Sequence, residues 1–194
     1  LAAGFLITKN DGFEGRFSPD VLKVISDPVE KRILPVRNMS IDDVPNGLTP
    51  MGDPDGANTL FLWGDSHADA VMPGIDAACK NLGVSGLAAT SWVTPPVKNW
   101  YKPDKHGKNE LSPAYNSAVF ESIKAASVRG ESKVVVLAAC WIYYTKDPED
   151  SREMSDALAE QIRDLKSIGC RVAILKQFPF YRDYVPRNLA LNLH

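Results

Sequence analysis

Histidine and cysteine are scarce in this chain, three of each in 194 residues. No C-x-x-C pair and no Cys/His ligand spacing occurs, so no metal site is expected. Neither sign of charge dominates: 22 Lys+Arg stand against 24 Asp+Glu, a net charge of −2. No Lys/Arg cluster stands out either, which removes nucleic acid and anionic membrane surfaces from the expected partners. A long apolar run is also missing. The opening Leu1–Thr8 (LAAGFLIT) falls far short of the about 20 residues that cross a bilayer, and it lacks the basic flank and cleavage site of a signal peptide. Two readings of it stay open, a short buried strand or the end of a membrane helix that begins upstream. The first residue is Leu1 and not Met, so the chain is expected to be a fragment or a processed product. There is no G-x-x-x-x-G-K-[ST] loop and no G-x-G-x-x-G after a strand, hence no sign of a nucleotide cofactor; no cofactor of any kind is expected.

What is present fits one ordinary globular domain, 44% hydrophobic and 24% charged, long enough to bury a core. Residues 1–58 are rich in Gly, Pro, Asn and Asp, with one short helical stretch near Asp20–Ile25, and read as an irregular N-terminal extension packed on the main domain. From Thr59 the pattern changes. Apolar strands are expected at Thr59–Gly64, Val84–Thr90, Lys133–Ala139 and Arg171–Lys176. Between them lie three helical segments. The first starts at about Ser66, with Val71, Ile75, Ala78 and Leu82 on one face and Gly83 at its end. The second covers Pro113–Arg129, with Tyr115, Ala118, Val119, Ile123 and Ala126 inward. The third follows the capping-box spacing of Asp150 and Glu153 and carries Met154, Leu158, Ile162 and Leu165. Alternating strands and helices of this length predict right-handed βαβ units, hence a three-layer α/β/α sandwich around a parallel sheet, with residues 59–194 as the domain. In that arrangement Cys140 ends one strand and Cys170 begins the next, at opposite ends of the sheet and too far apart to bridge.

Ligands bind open α/β sheets at the carboxyl ends of the strands. There the first strand gives Gly64-Asp65-Ser66-His67. Glycine lets the chain turn sharply, and Ser66 lands at a helix N-terminus, where free N–H groups and the helix dipole favour developing negative charge. A nucleophilic serine needs that setting. Spacing alone favours Ser66 as a plain helix N-cap.

Gly-Asp-Ser at the end of the first strand resembles the first block of the SGNH/GDSL hydrolases. The longer run LFLWGDSHADAVMPGIDAA is similar to the SGNH domain fused to bacterial membrane O-acyltransferases of acyltransferase family 3. Further segments resemble that domain in order: Asp11–Arg16, Thr94-Pro95-Pro96, Val134–Trp141 and Tyr184–Leu191. The resemblance implies a flavodoxin-like SGNH fold and Ser66 as nucleophile, with Asp65 buttressing the turn. It gives His67 and Trp141 supporting places around the oxyanion region. It further implies an acyl donor delivered by a fused or partner membrane acyltransferase domain, a glycan acceptor, acetyl as the group transferred, and a place at the periplasmic face of the inner membrane.

The chain also departs from the family. The usual glycine and asparagine oxyanion donors have no clear counterpart: Gly86 lies inside its strand, and the third strand ends in Cys140-Trp141. Asn188 stands where many relatives have cysteine. The family's late Asp-x-x-His is missing, since none of His67, His106 and His194 has an aspartate three residues before it. Asp104 precedes His106 by two residues in a polar loop, and His194 is the last residue. The triad Asp and His are therefore not found, and the fold is expected to be incomplete at its C-terminus. Acyl transfer through Ser66 leads. A non-catalytic glycan-binding or pseudoenzyme SGNH module, or a simple carbohydrate esterase, are the alternatives.

Overall fold

Five strands form one sheet in the order β1-β3-β2-β4-β5: β1 (Thr49–Gly52), β2 (Thr59–Gly64), β3 (Ser85–Thr90), β4 (Lys133–Ala138) and β5 (Cys170–Ile174). The computed structural model describes residues 18–19, 38–56, 59–103, 109–127 and 133–177, and every statement on structure below concerns these. All but 18–19 fall within the compact unit Leu34–Phe178. The expected helix near Asp20–Ile25, the Asp11–Arg16 and Tyr184–Leu191 segments, Asp104, His106, Asn188 and His194 lie outside the described residues.

The four strands read from sequence pair in parallel. Gly64 stands level with Thr90 on β3 and with Ala138 on β4, so three strands end together. Lys133 pairs with Cys170, which sets that cysteine at the far end of β4 from Cys140; all three cysteines are free thiols. Helices cover both faces. On one, α1 (Ser66–Leu82) packs Ala68 and Met72 against Leu62, Ala88 and Val136. On the other lie α2 (Ser112–Ser127) and α4 (Pro148–Ser167), with Val119, Ile123 and Leu165 against Phe61, Trp63 and Val135. A single turn, α3 (Trp141–Tyr144), follows β4. The α/β/α sandwich expected from the sequence is the fold observed.

Three local expectations change. Residues 39–52 are not irregular throughout: a 3-10 helix (Ile41–Asn46) leads into β1, which pairs antiparallel with β3 at the sheet edge. In α1 the buried stripe is Ala68, Met72 and Cys79, with Val71 and Ile75 partly covered. Ala78 and Leu82 face solvent, Leu82 being 77% exposed. Finally, α4 begins at Pro148 with Asp147 as N-cap, so Asp150 and Glu153 lie inside the helix rather than forming its capping box. Proline suits a first helical position, where no N–H is needed.

Candidate active site

At the carboxyl end of β2 a side chain at position 64 has nowhere to go: a Cβ there would strike the carbonyl oxygen of Ala138 on β4, so glycine is needed for close strand approach. The next residue, Asp65, is 1% exposed, and its carboxylate binds three donors. Oδ1 accepts the His67 N–H at 2.8 Å, and Oδ2 accepts the Cys140 N–H at 2.9 Å and the Tyr144 hydroxyl at 2.8 Å. One buried carboxylate therefore caps α1 and fastens the loop after β4 to it. Burial, with the charge of Asp65 beside it, pushes the Tyr144 phenol far above its ordinary range, so it remains a donor.

Since Asp65 is the N-cap, Ser66 becomes the first residue of α1. It is exposed, and its N–H, like the others of a first turn, has no intrahelical acceptor. Its hydroxyl is not the cap that spacing alone allows. His67 follows with its side chain about one-quarter exposed, its Nδ1 3.7 Å from Asp65 Oδ1. Trp141 opens α3; its indole Nε1 donates to the Leu175 carbonyl at 2.7 Å, which ties the end of β4 to that of β5. The structure thus brings Asp65, Ser66 and His67 together at one strand end, with Trp141 in the turn of helix that follows the adjoining strand β4.

The loop after β4 offers few free donors. The N–H groups of Cys140, Trp141 and Ile142 are taken by Asp65 Oδ2, the Ala139 carbonyl and Gln177 Oε1 respectively. On the other side of β2, Ser91 N–H reaches the Gly64 carbonyl at 3.0 Å, which sets the loop after β3 beside Ser66. That loop is held by a side chain that the sequence did not announce. Asn116, fully buried, donates Nδ2 to the carbonyls of Pro95 (2.8 Å) and Val97 (2.7 Å) and accepts from Trp63 Nε1 at 3.0 Å. Tyr144 and Asn116 are the positioning residues that sequence reasoning missed, since their partners are distant in the chain. A residue in the left-handed region, Val93 with φ 58°, also lies in this loop.

Two cavities contrast with each other. One of about 520 Å³ opens at the amino end of β3, between Pro50, Asp76 and Leu87, away from Ser66. Another of about 480 Å³ lies at the carboxyl end of β3, between residues 38–42, the loop 91–94 and the start of α2. No cluster of His, Cys, Asp or Glu suited to a metal ion occurs among the described residues, nor any helix long and apolar enough to cross a membrane.

Comparison with known proteins bears on the same region. The family model described as the SGNH domain fused to AT3 domains matches residues 37–194. Among solved structures, the chain is similar to the periplasmic domain of the Salmonella ser. Paratyphi A lipopolysaccharide acetyltransferase. The TM-score is 0.54 at 20% identity, over 80% of this chain and 57% of that one, a likeness of fold. No curated protein matches.

Proposed function

Because the chain belongs to the SGNH domains that occur fused to AT3 domains, we propose that it carries the serine-dependent step of O-acyl transfer to a cell-surface glycan, with Ser66 as nucleophile. The observation that supports this most is the division of labour at the start of α1. Asp65 does the capping, and Ser66 is left exposed at the helix N-terminus.

In this reading Ser66 Oγ attacks the carbonyl carbon of an acyl group, acetyl by family resemblance, brought by the membrane domain. The Oγ–C bond forms, the donor's acyl bond breaks, and the hydroxyl proton passes to a base. A glycan hydroxyl then attacks the acyl-serine, taking the acyl group and returning a proton to Ser66. The oxyanion of each tetrahedral intermediate sits near the Ser66 N–H and the positive end of α1. His67 supports the turn through Asp65. Trp141 stiffens the neighbouring strand end. The location is the periplasmic face of the membrane that holds the fused domain. Water as acceptor turns the same machinery into an esterase.

The alternative reading is a glycan-binding module without turnover. A fluorophosphonate probe and p-nitrophenyl acetate separate the two. Covalent labelling and hydrolysis, both abolished by Ser66→Ala, are the expected result. Labelling that survives Ser66→Ala overturns Ser66 as nucleophile, and no labelling of the unaltered chain leaves the binding module.

A further inference from the structure

Asn46 and Gly47 form the one Asn-Gly pair in the sequence. In such a pair the main-chain nitrogen of the glycine can attack the side-chain amide carbon before it, because no Cβ crowds the approach. Elsewhere the fold stands in the way of that reaction. Asn116 is fully buried with three hydrogen bonds, Asn109 is 4% exposed, and Asn81 lies inside α1. Asn46 and Gly47, by contrast, are both exposed at the end of the 3-10 helix. Gly47 has left the helical conformation, with φ 102° and ψ 151°. Among the described residues, its chain neighbours aside, no atom lies within 4 Å of where its Cβ would stand. A five-membered ring has room to form there. Two hydrogen bonds must open first: Gly47 N–H donates to the Val44 carbonyl at 3.0 Å, and Asn46 Nδ2 to the Asp42 carbonyl at 3.3 Å. Both belong to the last turn of a surface helix, so they can break without unfolding the sheet.

We propose that Asn46 is a site of spontaneous modification, at which the folded chain converts asparagine to aspartate and isoaspartate. The Gly47 nitrogen gives up its proton to solvent and bonds to Asn46 Cγ. The Cγ–Nδ2 bond breaks, and Nδ2 takes up a proton and leaves as ammonia, so that a succinimide remains. One water molecule then opens the ring. Cleavage between the nitrogen and Cγ gives aspartate, and cleavage between the nitrogen and the main-chain carbonyl carbon gives isoaspartate. Either product places a new negative charge at the C-terminal end of a helical turn that already carries Asp42 and Asp43, where the helix dipole disfavours it. Isoaspartate also routes the main chain through Cβ, just before the buried Leu48 and before Thr49, the first residue of β1. The strap that seats β1 on the edge of β3 is lengthened, and the modified chain unfolds at a lower urea concentration. None of this depends on the role of Ser66.

The test ages the intact chain in mildly alkaline buffer, folded and in parallel unfolded in guanidinium chloride. Peptide mapping follows the mass gained when the amide NH2 becomes OH, and protein isoaspartyl methyltransferase counts the isoaspartate. Each ordinary hydrogen bond that must open slows ring closure by about two- to tenfold. Conversion at Asn46 in the folded chain is therefore expected within about 100-fold of the unfolded rate, ahead of every other asparagine. Asn46→Gln, whose longer side chain would have to close a six-membered ring, removes the isoaspartate. The aged form, separated by its added charge, shows the lower urea midpoint. Slowing by about 10³-fold or more, the mark of a reaction that proceeds only through global unfolding, overturns the proposal. A methyl count that Asn46→Gln leaves unchanged also overturns it, and an aged form with an unaltered midpoint overturns the effect on β1.

Discussion

Ser66→Ala separates the two roles that a serine at a helix start can have. A capping serine is worth about 1 kcal/mol. Here the cap is the Asp65 carboxylate, 2.8 Å from the His67 N–H, and Ser66 is exposed. Urea unfolding of Ser66→Ala should therefore give a stability within about 0.5 kcal/mol of the unaltered chain; a loss near the full cap value would return the serine to a structural role. Asp65→Asn should behave in the opposite way. Its carboxylate accepts from His67, Cys140 and Tyr144, and an amide turns one of those acceptor positions into a donor facing a donor. The expected loss is about 2–4 kcal/mol, read from the same unfolding curves. The sequence made the contiguous part of this cluster legible, because Gly64-Asp65-Ser66 are neighbours at a strand-to-helix turn. It could not reveal Tyr144, whose hydrogen bond to Asp65 spans 79 positions, since no local period links residues so far apart.

At the scale of elements, β1 is the strand that sequence reading passed over. Thr49-Pro50-Met51-Gly52 is short, contains proline and glycine, and shows no alternation. It exists because β3 offers an edge and because Asp76 on α1 reaches across to it. Asp76 Oδ1 accepts the Gly52 N–H at 2.7 Å, and Oδ2 accepts Lys80 Nζ at 2.7 Å. Burial alone would raise the Asp76 pKa, but the Lys80 ammonium and the Gly52 N–H outweigh it and hold the pKa below the ordinary 3.8. A depressed folded pKa means that the unfolded chain binds more protons. The stabilisation is therefore present above the ordinary carboxylate range and is lost as pH falls through the folded value. Lys80 is about half exposed, so solvent screens the ion pair and the Gly52 bond carries more of the effect. Asp76→Asn is expected to cost about 1–2 kcal/mol at neutral pH, with the difference shrinking in unfolding measurements at about pH 3. A penalty that stays constant with pH would mean that the charge of Asp76 contributes nothing. The parallel strands β2 to β4 were readable by contrast as apolar runs largely buried between helices, whereas β5 lies at the sheet edge with only Cys170 buried.

Across the described fold the candidate site lies at the carboxyl end of the parallel strands, and the long loop after β3 is fastened along α4. Lys98, Asn99, Trp100 and Lys102 meet Asp164, Glu160, Glu153 and Asp150 at 2.6, 3.0, 3.1 and 2.6 Å. The loop thus runs antiparallel to the helix with a polar tie at nearly every residue. The cavity beside Ser66 could not be read from sequence for the same global reason: its wall combines residues 38–42, 91–94 and 109–115, which only the folded sheet collects. Not every buried group on α4 is so well matched. Gln161 is 1% exposed, and neither Nε2 nor Oε1 has a partner among the described residues. An unsatisfied buried amide costs about 1–3 kcal/mol, and methionine has the same straight length without the polar atoms. Gln161→Met should therefore raise the unfolding free energy by about 1–2 kcal/mol. The urea midpoint should move up with an unchanged slope, because the surface exposed on unfolding stays the same. A fall in the midpoint would instead show that groups outside the described residues satisfy the amide, and that Gln161 belongs with Asp65 and Asn116 among the buried polar side chains that hold the loops in place.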